Sequence, residues 1–143
     1  MIKGRIMAVD FGTKRIGIAI SDEMQILASA RGVIVNDPMS IRELVARAKA
    51  EGVIKVVLGL PRSLKNEDSD MTRQVRSFGE KLQVQLEAAS IEFEFRDERL
   101  TSVMANANIA MSGLGKKKRE EKSLRDEEAA RILLQTYLDQ YTG

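Results

Sequence analysis

The chain has 143 residues, and 23 Lys and Arg against 21 Asp and Glu give it a net charge of +2. A hydrophobic fraction of 43% and a charged fraction of 31% suit one core, so we expect a single domain over residues 1–143. The absence of cysteine and histidine excludes disulfides, Cys- or His-ligated metals and Ser-His-Asp catalysis. Any chemistry must then use carboxylates, Lys, Arg, hydroxyls or a cofactor, and hard cations such as Mg²⁺ or Mn²⁺ suit such groups.

The sequence shows neither a membrane-spanning run nor the apolar region of a signal peptide. No apolar run reaches the roughly 18–20 residues that a membrane-spanning helix requires, and residues 1–5 lack the apolar stretch of a signal peptide. We therefore expect a cytoplasmic protein.

The first part of the chain is rich in strand-like segments. Apolar runs at 5–9 and 16–20, separated by a Gly-Thr-Lys turn, predict a β-hairpin, and residues 28–35 predict a third strand. Ser40 and Glu43 have the spacing of a capping box, which predicts a helix that opens at Ser40. The apolar residues on one face of this helix are Ile41, Leu44, Val45 and Ala48.

The remainder alternates strands and helices. The nearly continuous apolar run 53–60 is typical of a buried parallel strand, and residues 91–95 alternate as a half-buried strand does. Apolar spacing predicts helices at about 71–89 and 123–141, and a capping threonine predicts another at about 101–111. This order predicts an α/β domain with a mixed sheet and helices on both of its faces.

Three acidic residues from separate elements are predicted to converge at one edge of this sheet. Asp10 follows the first strand, Glu98 follows the last strand, and Asp126 lies one turn before the apolar stripe of the last helix. Active sites gather at strand ends in α/β sheets. Three converging carboxylates repel one another unless divalent cations neutralise them, and one or two such cations can drive phosphodiester hydrolysis without histidine. The sequence therefore predicts a metal-dependent nuclease.

Each acidic residue also has a simpler interpretation. Asp10 fits a turn before Gly12, and Glu98 fits a solvated Asp-Glu-Arg turn. Asp126 fits the far half of a capping box with Ser123. The prediction of a metal site depends on the convergence of the three residues.

Several basic residues are candidates for contacts with a nucleic-acid backbone. Lys14 lies in the turn beside Asp10, Arg99 follows Glu98, and a basic run with two preceding glycines suggests a flexible loop. The run consists of Lys116, Lys117, Lys118 and Arg119. Solvated surface charge is the alternative for each. Aromatic residues make up 4% of the chain and fit the core pattern, so we expect a structured RNA or branched duplex to be recognised by backbone charge and shape.

Four sequence blocks resemble the YqgF family, also called RuvX, in order and spacing. They begin with Asp-Phe-Gly-Thr-Lys-Arg-Ile-Gly at residue 10 and Val-Leu-Gly-Leu-Pro at 57, followed by Asp-Glu-Arg-Leu-Thr at 97 and Asp-Glu-Glu-Ala-Ala-Arg-Ile-Leu-Leu-Gln at 126. The resemblance implies a three-layer α/β/α, ribonuclease-H-like fold whose five-stranded mixed sheet has its first three strands antiparallel. One departure is Asn66-Glu67, where the family commonly has Asn-Gly.

The same resemblance implies a nuclease of the two-metal-ion type. Asp10, Glu98 and Asp126 would be its catalytic residues and metal ligands, with Mg²⁺ or Mn²⁺ as the cofactor. The implied function is 5′-end processing of pre-16S ribosomal RNA, with the ribosomal subunit as a partner. Resolution of Holliday junctions in branched DNA is the alternative. The sequence distinguishes neither RNA from DNA nor a monomer from a homodimer.

Two other classes of function compete with the nuclease. The segment Asp-Phe-Gly-Thr before a hairpin also resembles the first phosphate-binding segment of actin-like ATPases and sugar kinases. Those enzymes use two such domains, which would require about twice this length. A non-catalytic module that binds RNA or ribosomes is the second alternative, and the intact set of three acidic residues argues against it.

Overall fold

The computed structural model describes residues 3–60, 70–97 and 118–141, with residues 118–125 described by their backbone. In chain order the elements are β1 (Arg5–Phe11), β2 (Arg15–Ser21), β3 (Ala28–Val35), α1 (Ser40–Ala50), β4 (Val53–Leu60), α2 (Asp70–Ala88), β5 (Glu92–Asp97) and α3 (Lys118–Tyr141). No helix within these ranges combines the length and the apolar character needed to cross a bilayer.

The five strands form one mixed sheet in the order β3-β2-β1-β4-β5. β2 pairs antiparallel with both β1 and β3, whereas β4 runs parallel to both β1 and β5. The prediction of a mixed sheet with its first three strands antiparallel is therefore confirmed. The apolar run 53–60 is the buried parallel strand that its composition predicts.

Helices cover both faces of the sheet, as predicted. Met7 and Val9 belong to the core on the side of α1 and α2. Ala8 belongs to the core on the opposite side, together with Leu134 of α3. Since successive side chains of a strand point to opposite faces, Asp10 lies on the α3 side of β1.

The far end of α3 is attached to the parallel half of the sheet by a polar cluster. Lys55 Nζ of β4 donates hydrogen bonds to Glu94 Oε1 of β5 at 2.9 Å and to the Tyr137 hydroxyl at 2.8 Å. Burial alone would lower the pKa of Lys55, but these two hydrogen bonds outweigh it and raise the pKa above its ordinary value. A charged Lys55 thus helps to fix α3 along the sheet.

The helix α1 begins at Ser40 as predicted, but its cap differs from the prediction. Ser40 is the first helical residue, and no side-chain hydrogen bond caps the helix at Met39. The Ser40 hydroxyl donates to the Asp37 carbonyl oxygen at 2.9 Å, while the Asp37 carboxylate accepts the Met39 N–H at 2.8 Å. The predicted capping box of Ser40 and Glu43 is therefore wrong. Asp37 forms a local turn in which its carboxylate already accepts a hydrogen bond from the Met39 N–H at the start of the helix.

The start of α3 also differs. The helix begins at Lys118, so Lys118 and Arg119 lie in its first turn and not in the predicted loop. Ser123 lies inside the helix, which makes its capping box with Asp126 wrong. The charged residues in the first turn of α3 have high helix propensity. The helix can therefore begin at these residues without an apolar stripe. The helix predicted at about 101–111 lies outside the described residues.

Candidate active site

Asp10 lies near the carboxyl end of the central strand β1. Its residue exposure is 8%, and it pairs with Gly17 of β2 across the antiparallel ladder. It is a strand residue and does not belong to the turn before Gly12, so the turn interpretation is wrong. An ionised carboxylate in such a buried position needs compensating charge or hydrogen bonds.

Asp126 lies in α3, whose backbone packs against β2 at Gly17. A Cβ atom added to Gly17 would collide with the carbonyl oxygen of Asp126, so the helix and β2 are in direct backbone contact there. Directly opposite Cα atoms in an antiparallel pair lie about 4.5–5.5 Å apart. The backbone of Asp126 therefore lies over Gly17, the cross-strand partner of Asp10.

Arg15 is a site residue that the sequence analysis missed. Its Nε lies 3.4 Å from Asp126 Oδ2, and the two side chains are 23% and 24% exposed. Arg15 and Gly17 lie two positions apart on β2 and therefore face the same side of the sheet. This alternation is readable from the sequence, but the helix that covers this side of β2 is not.

Backbone and side-chain hydrogen bonds fix the surroundings of the site. Asn36 donates its N–H to the Lys14 carbonyl at 2.9 Å and its side-chain amide to the Gly12 carbonyl at 2.7 Å, which holds the turn between β1 and β2. Lys14 itself is exposed. Glu127 Oε1 accepts the Gly32 N–H at 3.0 Å and so attaches α3 to β3.

The other predicted site residues are described less completely. Those outside the described residues are Glu98, Arg99, Lys116 and Lys117. Lys118 and Arg119 are placed by their helical backbone. In the described part of the chain, no group of three acidic residues could hold a metal ion. Of the three predicted acidic residues, the structure describes Asp10 and Asp126, and it places the backbone of Asp126 over the cross-strand partner of Asp10.

The residues present fit a hard divalent cation. Both carboxylates offer the oxygen ligands that Mg²⁺ and Mn²⁺ prefer. The buried Asp10 and the close approach of Asp126 at Gly17 give the pair a fixed backbone frame. The guanidinium of Arg15 beside Asp126 shows that this position already accommodates a positive charge.

Comparison with known proteins identifies the family to which this chain is similar. The model of the RuvX family, described as a Holliday junction resolvase, matches residues 4–140. A Bacteroides fragilis protein named "Putative pre-16S rRNA nuclease" is 38% identical over 135 residues, which cover 94% of this chain and 96% of that protein. A Flavobacterium psychrophilum protein of the same name is 43% identical over 134 residues, which cover 94% and 96%.

Solved structures share the fold at much lower identity. T. thermophilus RuvC in complex with a Holliday junction substrate has a TM-score of 0.58 at 13% identity, covering 96% of this chain and 97% of that chain. The Fowlpox virus resolvase in complex with Holliday junction DNA has a TM-score of 0.57 at 11% identity, covering 97% and 99%. These similarities confirm the predicted fold, and the matches to the family model and to the sequence relatives show that the chain belongs to the RuvX family.

Proposed function

We propose that the protein is a divalent-metal-dependent nuclease that uses the carboxylates of Asp10, Glu98 and Asp126. The observation that supports the proposal is the position of the Asp126 backbone over Gly17, the cross-strand partner of the buried Asp10. Glu98 directly follows Asp97, the last residue of β5, and we propose it as the third ligand. The substrate that we propose, the 5′ end of pre-16S ribosomal RNA, is supported by the names of the sequence relatives.

The chain's own residues would position the reaction. Asp10 and Asp126 would hold Mg²⁺ or Mn²⁺ through their carboxylate oxygens, and in the two-metal form both would help to hold a pair of ions. The bound cation would supply an activated water and stabilise charge on the leaving oxygen. Burial would restrict the carboxylate of Asp10, and the absence of a side chain at Gly17 lets the backbone of α3 lie directly against β2 at Asp126.

Substrate binding would depend on local positive charge, because the net charge is only +2. We propose phosphate contacts for Lys14, which is exposed in the turn beyond Asp10, and for Arg99. The basic residues that lead into α3 extend the proposed surface: Lys116, Lys117, Lys118 and Arg119. We expect binding to weaken steeply with salt, since each neutralised phosphate releases counterions.

Resolution of branched DNA is a second candidate function. It is favoured by the similarity of the fold to two resolvases solved with Holliday junction substrates. A structured RNA and a branched duplex both present dense phosphates at defined angles, so one basic surface can bind either. The ribosomal subunit would be a partner only in the processing of pre-16S ribosomal RNA, and not in the resolution of branched DNA.

A cleavage assay with four substrates distinguishes these functions. The substrates are an RNA with the pre-16S 5′ leader, an RNA with the same composition and no stable structure, a Holliday junction, and a linear DNA duplex. We expect the leader RNA to be cut at a defined position in Mg²⁺ or Mn²⁺ and to stay intact in EDTA, because the carboxylates act through a bound cation. Gel analysis of end-labelled products measures the site and the rate.

The outcomes separate the two candidates. Symmetric cutting of the Holliday junction without cutting of the leader RNA would favour the resolvase function. Equal cutting of the leader RNA in EDTA would contradict the metal-dependent site. Binding of the leader RNA without cutting in either metal would point to a non-catalytic RNA-binding module.

A further inference from the structure

The contact between Arg15 and Asp126 has the character of a charge interaction. A charge-assisted N–H···O hydrogen bond is about 2.7–2.9 Å long, and structural Arg–carboxylate pairs are frequently bidentate. Here Nε lies 3.4 Å from Asp126 Oδ2, and this buried nitrogen has no hydrogen-bond partner in the described structure. Arg15 therefore brings positive charge to the carboxylate through a contact that can be broken without losing a well-formed hydrogen bond.

Arg15 places its positive charge beside Asp126, on the side of the sheet that also carries the buried Asp10. Asp10 is buried on the α3 side of the sheet, and the backbone of Asp126 lies directly over Gly17, its cross-strand partner. Like charges in such a partly dehydrated place destabilise each other more than they would in water. Arg15 lies on the same side of β2 as Gly17 and contacts the carboxylate of Asp126.

We propose that Arg15 is the internal counter-ion of the metal site, which pairs with Asp126 in the metal-free protein and gives it up when a divalent cation binds. The proposal rests on the proposed function, because it requires Asp10 and Asp126 to hold a cation. Arg15 and the cation compete for one carboxylate. Removal of the guanidinium therefore destabilises the metal-free protein and tightens metal binding. If Arg15 instead oriented Asp126 for the metal, its removal would weaken metal binding.

Mn²⁺ titration of the full-length protein without nucleic acid tests this role. Calorimetry at low ionic strength would compare the wild type with Arg15→Met and with Arg15→Lys, which keeps the charge. We expect Arg15→Met to bind Mn²⁺ about tenfold more tightly, and Arg15→Lys to stay within about threefold of the wild type. Lys14→Met removes the same charge from the exposed turn, where screening by solvent limits the change to about twofold.

Thermal unfolding of the same variants gives a second readout. Arg15→Met is expected to melt below the wild type without metal, and this difference should shrink at saturating Mn²⁺ because tighter binding stabilises the folded state more. Arg15→Gln is expected to change the melting temperature and the Mn²⁺ affinity in the same directions as Arg15→Met. It replaces Arg15→Met if that variant does not fold.

Three results would overturn the counter-ion role. Unchanged or weaker Mn²⁺ binding by Arg15→Met, with normal binding by the wild type, would refute it and leave the proposed nuclease site intact. Equal tightening by Lys14→Met would show a general effect of net charge. Absence of Mn²⁺ binding by the wild type would refute both the counter-ion role and the proposed metal site.

Discussion

The variant Asp10→Asn is expected to lose cleavage almost completely while it still folds and binds nucleic acid. Asparagine keeps the size of the buried side chain but replaces a charged oxygen ligand by a neutral amide, which suits a hard cation poorly. We expect the single-turnover rate in Mg²⁺ to fall by at least about a thousandfold, equivalent to ~4 kcal/mol of transition-state stabilisation. Rates on the leader RNA, together with its binding measured in Ca²⁺, check this prediction.

The matched control lies at the far end of the helix that carries Asp126. Asp139 is an exposed residue of α3 that accepts a hydrogen bond from Gln135, and Asp139→Asn removes the same charge. It should keep the wild-type rate, whereas Asp126→Asn should resemble Asp10→Asn. A rate above about a tenth of the wild type in Asp10→Asn, a loss of under 1.4 kcal/mol, would contradict the proposed role of Asp10.

The variant Gly17→Ala is expected to damage both stability and activity. Its Cβ would collide with the carbonyl oxygen of Asp126, a backbone atom that cannot turn aside as a flexible side chain can. Such overpacking costs about 1–3 kcal/mol of unfolding free energy. Because α3 must shift, Asp126 moves relative to Asp10, and a misplacement of about 1 Å can lower a rate roughly a hundredfold. Urea unfolding and single-turnover cleavage measure the two effects.

Gly52→Ala is the control that separates stability from positioning. Gly52 lies in the turn between α1 and β4, has a φ of +69°, and a Cβ there would meet no atom within 4 Å. The alanine is therefore strained by about 1–2 kcal/mol, through its backbone conformation and without a collision. Gly52→Ala should lose stability and still cleave normally. Wild-type cleavage by Gly17→Ala would show that this contact does not position Asp126.

Hydrophobic periodicity was sufficient to predict the layers of this fold. The run 53–60 and the amphipathic stripes of α1 and α2 carry the apolar faces that the core needs, and the structure places them accordingly. The cap of α1 and the start of α3 were predicted wrongly, for reasons that periodicity does not show. Ser40 and Glu43 have capping-box spacing, but Asp37 competes locally for the first amide. Lys118 opens a charged turn without apolar periodicity, which a hydrophobic pattern cannot reveal.

The candidate site was predictable only in part. The position of Asp10 at the end of an apolar strand and of Asp126 beside an apolar stripe indicated that both face the sheet. The proposed roles of Arg15 and Gly17 depend on which helix packs against β2 and on which residues of that helix contact the strand. Tertiary packing sets both of these features. The sequence shows an arginine and a glycine two residues apart, which is common in strands with no such function.

The most direct test of the metal site is a crystal structure of the protein soaked in Mn²⁺, with anomalous data collected to locate the metal. We expect an anomalous peak in contact with carboxylate oxygens of both Asp10 and Asp126, at distances of about 2.0–2.3 Å. A peak that touches neither residue, or no peak at saturating Mn²⁺, would contradict it.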